Sequence, residues 1–391
     1  MLTTLLLILS IGTLLIWVLG LVWYIRFYSQ PPKLSPTAAQ LNAAKSFVSV
    51  IVPARNEAGR SLRTSIDSMI GQGYLNMEVV AVNDRSRDGT LEILKEMEAL
   101  HPTRLRVVDG AELPAGWLGK PHALQQGFEQ SSGRWVLATD ADIHFSPIAV
   151  EAAVKYAEDS GLDALTLIPR IIVGSFWEKV FMPVFGWFCL LAMPLHRVND
   201  PKRSESLGIG NFFLIRREVL KSLGGFTCIK NEVAEDLRLA AIIKGNGFSL
   251  RVETAPELLE TRMYEGLREI WQGFTKNLFS GIGFSTVKGL LSVLSIIGIG
   301  FGPIFLSVFL TISELYLFAF LFFLAYICQV ILFWTIIKSL NEEPFYSILT
   351  PLGFGLYALI LTNSMYKILS GRGVEWKGRN IYGPEGRPKN R

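Results

Sequence analysis

The sequence predicts an α/β domain with a parallel sheet, carried by one apolar segment before it and about three after it. Three observations predict this. Short apolar strands alternate with helix-like stretches between Phe47 and Ala138, a pattern that implies a parallel sheet. Polar residues gather where those strands end. The chain of 391 residues is 50% hydrophobic and only 18% charged, whereas a soluble domain carries about 25% charge. That apolar excess is concentrated in residues 5–25 and 289–369.

The elements follow in order. Residues 5–25 are almost wholly apolar, and about 20 such residues span a bilayer. No Lys or Arg precedes them, while Arg26, Lys33 and Lys45 follow. Residues 1–28 therefore read as a retained anchor rather than a cleaved signal peptide, with its basic flank in the cytoplasm. Pro31, Pro32 and Pro36 mark residues 29–45 as a linker. Strands are expected at 47–53, 78–82, 105–108 and 135–138, and helices at 58–70, 89–100 and 121–131. The domain they form runs over residues 46–281. Within it, residues 171–195 are rich in Phe and Trp and are interrupted by Pro183, which predicts a segment at the membrane interface rather than a full span. A transmembrane region, 282–369, contains apolar segments near 289–311, 314–337 and 345–367. A basic tail, 370–391, closes the chain. The net charge of +4 gives no nucleic-acid-binding stripe. Cys189, Cys228 and Cys328 have neither the spacing of a metal site nor the number for a disulfide framework.

The chemistry lies at the strand ends, because ligands of open α/β sheets bind beyond the carboxyl ends of the strands. The first strand ends in Pro53-Ala-Arg55-Asn-Glu57, the second in Asn83-Asp84 and the fourth in Thr139-Asp140-Ala-Asp142. In an extended stretch residues two apart face the same side. Asp140 and Asp142 could then address one hard cation, Mg²⁺ or Mn²⁺, with substrate phosphates completing its shell. Asp88 reads as a cap for the helix that begins near Gly89.

Six stretches, in this order, resemble glycosyltransferase family 2: Ser49-Val-Ile-Val-Pro-Ala-Arg-Asn-Glu57, Val80-Ala-Val-Asn-Asp-Arg-Ser-Arg-Asp-Gly-Thr90, Gly119-Lys-Pro-His-Ala-Leu-Gln-Gln-Gly127, Ala138-Thr-Asp-Ala-Asp142, Gly210-Asn-Phe212 and Glu235-Asp236. The resemblance covers about residues 46–280. It implies the GT-A fold, a Rossmann-like mixed sheet, and an inverting, metal-dependent transfer of sugar from a UDP- or GDP-sugar. It places Pro53, Arg55, Glu57 and Asp84 at the nucleotide, and Lys120 at the donor phosphates. Asp140 would meet ribose or metal, and Asp142 the metal. Gly210 and Asn211 would lie beneath the sugar or acceptor. Asp236 would be the general base, with Glu235 as the alternative.

Processive members of the family carry Gln-x-x-Arg-Trp after the acidic pair. Here Trp271-Gln272-Gly-Phe-Thr-Lys276 keeps the Gln and lacks Arg-Trp. This argues for single-sugar transfer over polysaccharide synthesis, with Lys276 still available to the diphosphate and Trp271 to the acceptor. A catalytically silent sugar-nucleotide-binding partner of a membrane complex is the rival from another class. Retention of Asp140, Asp142 and Asp236 together opposes it. Leu113-Pro-Ala-Gly-Trp117 and Glu375-Trp-Lys-Gly-Arg379 are similar to membrane glycosyltransferases of hopanoid and carotenoid pathways, which implies a lipid acceptor of isoprenoid type. The expected location is the cell membrane, multi-pass, with the catalytic domain cytoplasmic. Three full crossings after that domain would put the tail outside, yet Arg372, Lys377, Arg379, Arg387, Lys389 and Arg391 belong inside. Pro351, Gly353 and Gly355 mark 345–367 as the segment that does not cross, with Trp376–Arg379 near the catalytic domain.

Overall fold

The computed structural model describes residues 2–28, 33–34, 46–59, 61–376 and 379–381. Most of the proposed linker and of the basic tail, including Lys377, Arg387, Lys389 and Arg391, lies outside them. Two compact units are present: residues 31–172 with 192–263, and residues 1–30 with 173–191 and 264–391.

The first unit contains β1 (Val48–Ala54), α2 (Leu62–Ile70), β2 (Met77–Asn83), α3 (Thr90–Leu100), β3 (Leu105–Asp109), α4 (Gly119–Glu129), β4 (Trp135–Ala138), β5 (Ile143–Phe145), α5 (Ala149–Asp159), β6 (Ala164–Ile168) and β7 (Arg170–Ile171). The chain then leaves it through α6 (Phe176–Ala192) and returns with α7 (Leu195–Val198), β8 (Phe213–Arg216), α8 (Arg217–Ser222), α9 (Glu235–Gly245), β9 (Leu250–Thr254) and β10 (Leu259–Thr261). Seven strands form one sheet in the order β3-β2-β1-β4-β8-β6-β9. Strands β3, β2, β1 and β4 are parallel. Strand β8 runs antiparallel to both β4 and β6, and β6 pairs in parallel with β9. The sheet is thus mixed, as the family resemblance implied, and not wholly parallel as strand–helix alternation alone suggested. A second, three-stranded sheet has the order β5-β10-β7.

The central strands are apolar on both faces because both faces are covered. Val50 and Val52 enter one core with Trp135, Leu137 and Phe212. Ile51, between them, enters another with Val136, Ala138, Phe213 and Leu239. The twofold alternation of a strand separates the two sets.

The second unit is helical: α1 (Leu2–Tyr28), α6, α10 (Gly266–Gly281), α11 (Thr286–Ser295), α12 (Gly302–Ile312), α13 (Tyr316–Ser339) and α14 (Thr350–Leu369), followed by the hairpin strands β11 (Val374–Trp376) and β12 (Arg379–Ile381). Residues 173–191 and 264–281, expected within the catalytic domain, group with this unit. Among the described residues, five helices are long and apolar enough to cross a membrane: Thr3–Tyr28, Phe176–Val198, Thr286–Ile312, Tyr316–Ser339 and Pro344–Leu369. The Phe176–Val198 stretch meets the length and composition of a span despite Pro183 inside α6. Pro351 does not break α14, because it occupies the first turn, where no backbone N–H is needed.

Several backbone groups inside this unit are paired with buried side chains. A wide π-helical turn, Ile296–Phe301, joins α11 to α12. The Trp17 Nε1–H donates to Ile299 O at 2.9 Å, and Gln329 Nε2 donates to Gly300 O at 3.0 Å. Side chains thereby occupy carbonyls that lipid could not hydrogen-bond. The buried Glu178 on α6 accepts from Gly174 N and Gly266 N, both at 2.7 Å, which ties the starts of α6 and α10 to one carboxylate.

Candidate active site

Two loops meet at the ends of β1 and β2. Asn56 and Arg85 both adopt left-handed backbone, with φ of 51° and 52°. That conformation is unusual for a residue with a side chain and recurs where geometry is imposed by a site. The loops are stitched together: Arg55 donates to Asp84 O at 2.7 Å and Arg85 O at 3.0 Å, and Arg87 N donates to Asn56 Oδ1 at 2.9 Å. Pro53 lies within β1 beside Val82. Glu57 is buried, and its N–H donates to Thr90 Oγ1 at 2.8 Å. Asp88 accepts from Thr90 N and Ala58 N, both at 3.1 Å; the N-cap position of α3 is Gly89, and Asp88 holds the first helical N–H from the residue before it. The Asp84 carboxylate carries an ion pair with its neighbour Arg85, a partner that the pattern of acidic strand ends did not reveal.

The second group is an ion cluster on α4, the end of β4 and the start of α9. Lys120 Nζ lies 2.6 Å from Asp140 Oδ1 and 2.5 Å from Glu235 Oε1. Asn211 Nδ2 approaches Asp140 Oδ2 at 3.4 Å, while Thr139 Oγ1 donates to Asn211 O at 2.5 Å. The two Asp236 oxygens accept from Gly210 N at 2.9 Å and Leu237 N at 2.8 Å. Glu235 and Asp236 occupy the first turn of α9, where the helix dipole favours negative charge. Gly210 allows the closeness. A Cβ there would stand 3.0 Å from Lys120 Nζ, 3.3 Å from Asp236 Oδ2 and 3.4 Å from Asp140 Oδ2. A shallow pocket is lined by Lys120, Thr139, Gly210, Glu235, Asp236 and Phe213.

Electrostatics follow from this crowding. Burial opposes the Lys120 ammonium, but Asp140, Glu235 and Asp236 outweigh it and hold its pKa well above the usual lysine value. Burial, and then the neighbouring Glu235 charge, push the Asp236 carboxyl up to about 6, against the pull of Lys120. His122, next along α4, stacks edge-on against Trp117 at 5.4 Å between centroids. Burial and then the Arg85 charge lower its pKa, which favours the neutral ring. Its proximity to the Asp84–Arg85 pair was not apparent from its place between two apolar helix positions.

Lys120, Asp140, Gly210, Asn211, Glu235 and Asp236 therefore come together as expected. Asp142 stands two residues past Asp140 in a turn, not in the extended stretch assumed from sequence, and its carbonyl accepts from Thr261 Oγ1 at 3.1 Å. Trp271 and Lys276 lie on α10, in the helical unit. Among the described residues no three His, Cys, Asp or Glu side chains converge as a metal cage. The oxygen donors here fit a hard cation that takes one or two carboxylates and draws its remaining ligands from phosphate and water.

A mixed seven-stranded sheet with its polar cluster beyond the ends of β1 and β4 is the GT-A architecture. The chain superposes on a mannosyltransferase, PcManGT from Pyrobaculum calidifontis, solved with GDP-Man and Mn²⁺, with a TM-score of 0.51 at 19% identity, covering 94% of this chain and 87% of that one. Residues 49–224 match the model of glycosyl transferase family 2. The chain is 26% identical to dolichol-phosphate mannosyltransferase of Pyrococcus furiosus, over 61% of this chain and 69% of that protein. It is 24% identical to 4,4'-diaponeurosporenoate glycosyltransferase of Staphylococcus haemolyticus, over 64% and 65%. With poly-β-1,6-N-acetyl-D-glucosamine synthase of Staphylococcus epidermidis it shares 24% identity over 53% of this chain, and it spans about half (48%) of that relative.

The cluster geometry makes Gly210 a sharp test. Gly210→Ala is expected to lower kcat/KM by roughly 10–100-fold through displacement of Lys120 and Asp236, since a misplacement of about 1 Å can cost about 10²-fold. Sugar-nucleotide turnover would be measured beside the thermal midpoint, which should hold.

Proposed function

We propose that this protein is a membrane-bound, inverting, metal-dependent glycosyltransferase that moves one sugar from a UDP- or GDP-sugar to a lipid acceptor of isoprenoid type. The observation that carries this reading is the Lys120–Asp140–Glu235–Asp236 cluster in a GT-A unit joined to apolar helices. Two of the relatives are named for dolichol phosphate and for a carotenoid acid, which supports the isoprenoid acceptor. The absence of Arg-Trp after Gln272 supports single transfer over the polymerisation for which the poly-N-acetylglucosamine synthase is named.

Asp236 suits the base better than Glu235. Glu235 is committed to Lys120 at 2.5 Å, whereas each Asp236 oxygen accepts one backbone N–H and keeps lone pairs for an acceptor hydroxyl. Its pKa, near 6, leaves it ionised yet basic at neutral pH, as a general base requires. Asp140, with Asp142, would hold the cation, which when bound offsets charge on the departing diphosphate. Arg55, Glu57, Asp84 and Pro53 frame the nucleotide side, and Asn211 with Gly210 lies under the sugar. Trp271 and Lys276 are assigned to acceptor and diphosphate on resemblance alone.

The helical contacts support a particular topology. The chain leaves the first unit after β7 for α6 and returns to it before β8, and a single crossing cannot begin and end in one unit. This supports an interfacial segment. Ser339, closing α13, lies 3.3 Å from Tyr24 near the end of α1, so those helices end at one level. Gln329 lies about 15 Å deeper along α13 at about 1.5 Å per residue, and it donates to Thr350 Oγ1, at the start of α14, at 3.3 Å. α14 thus begins about halfway through a core of about 30 Å. It then runs back toward the start of α11: a methyl on Gly300 would strike Phe354 and one on Gly289 would strike Met365. Near its end, Ser364 Oγ donates to Thr275 O on α10 at 2.5 Å. Residues 344–369 accordingly form a re-entrant segment, and residue 370 emerges at the face where α11 begins, the cytoplasmic one.

A panel of sugar nucleotides offered with membrane lipid extract, with mass analysis of the product, tests the activity. Failure to transfer or hydrolyse any sugar nucleotide would favour the silent-partner reading. Asp236→Asn is expected to lower kcat by about 10²–10⁴-fold with little change in donor KM. In the wild type, kcat/KM should decline as pH falls through about 6, because the Asp236 carboxylate gains a proton there. Persistence of full turnover in Asp236→Asn would remove the base assignment. For topology, single cysteines at Ser313 and Ser370 in a cysteine-free background would be probed with an impermeant maleimide on sealed cells. Ser313→Cys should label at once and Ser370→Cys only after permeabilisation; equal labelling would refute re-entry.

A further inference from the structure

We propose that Lys120 is the resident counter-ion of Asp140, and that it makes divalent-cation binding depend on the nucleotide diphosphate. The inference rests on the reading of Asp140 as a cation ligand and goes beyond it, because it assigns Lys120 an action before any phosphate arrives. Both oxygens of Asp140 are engaged by protein donors: Oδ1 by Lys120 Nζ at 2.6 Å and Oδ2 by Asn211 Nδ2 at 3.4 Å. The same ammonium sits 2.5 Å from Glu235 Oε1, and the close approach of Gly210 confines it from another side. Three elements thus converge on one positive charge.

A divalent ion on Asp140 would share that carboxylate with the ammonium, and the two cations repel, more strongly in a partly desolvated site than in water. Without nucleotide the ion therefore meets an occupied ligand. A diphosphate changes the balance. Lysine is a flexible stem with three donors, and its side chain here is 34% exposed, so it can turn from Asp140 to phosphate oxygens. That movement opens Oδ1 to the cation. Glu235, which shares the ammonium, holds it close to its starting position, so the exchange needs side-chain motion only. Cation and nucleotide then bind cooperatively, as linkage demands of two ligands that favour one arrangement.

The test is Mn²⁺ binding to the full-length detergent-solubilised protein, read from the free-Mn²⁺ electron paramagnetic resonance signal, with and without UDP or GDP. Wild type should bind Mn²⁺ weakly alone and at least about tenfold more tightly with one of the nucleotides. Lys120→Met and Lys120→Gln should each bind Mn²⁺ alone at least about tenfold more tightly than wild type, and the enhancement by nucleotide should be smaller than in wild type. Lys120→Arg, which keeps the charge, should retain the dependence. The two neutral variants guard against a fold defect in either one, and thermal midpoints identify such a defect. Unchanged or weaker Mn²⁺ binding in both neutral variants, with intact midpoints, overturns the counter-ion role. Asp140→Asn separates this from the underlying reading. If that variant binds Mn²⁺ with nucleotide as wild type does, Asp140 is no cation ligand and both inferences fall. If its binding is lost while the Lys120 variants behave as wild type, only the counter-ion proposal falls.

Discussion

One ammonium between carboxylates organises the first unit. Lys120 lies in the first turn of α4, Asp140 follows β4 and Glu235 opens α9, and the ion pairs at 2.6 and 2.5 Å hold these three elements to one point. Acidic groups so close would repel if left alone. The lysine offsets that repulsion, and two backbone N–H groups settle Asp236 beside it. The cost appears in Asp236, whose carboxyl is driven up to about 6 by burial and by Glu235. That same shift brings it into the range where a carboxylate can take a proton near neutrality. Gly210 is the steric condition for the arrangement, since any side chain there would enter the space of Lys120.

A different constraint governs the helical unit. Polar backbone that lipid cannot satisfy must find partners within the protein. The π-helical turn at 296–301 meets this demand through Trp17 and Gln329, and Thr350 Oγ1, at the start of α14, meets it for Ser347 O. Glu178 does the same for the starts of α6 and α10. These buried side chains set the level at which each helix begins, so they bear on topology as much as on stability.

Much of the site was legible along the chain because parallel strands deliver their C-terminal residues to one edge. Asp84, Asp140 and Glu57 announce themselves as acidic residues directly after apolar runs, and the Gly-Lys pair before α4 is similarly placed. Other features were not legible. Asp84 pairs with its own neighbour Arg85, whose left-handed φ of 52° no composition signals. Asp142 lies in a turn because β5 turns away to pair with β10, a contact distant in sequence. The antiparallel insertion of β8 between β4 and β6 likewise depends on pairing, which strand–helix alternation does not encode.

By itself the sequence determined the layout: apolar runs, their lengths and the residues that follow them dictate strands, helices and membrane-length segments, because burial and backbone satisfaction depend on local composition. Only the tertiary structure decided how charges pair. It brought Lys120, Asp140 and Glu235 into one cluster, and it returned α14 toward the start of α11. Both outcomes rest on contacts between residues far apart in the chain, where distance in space, not order in sequence, sets the energy.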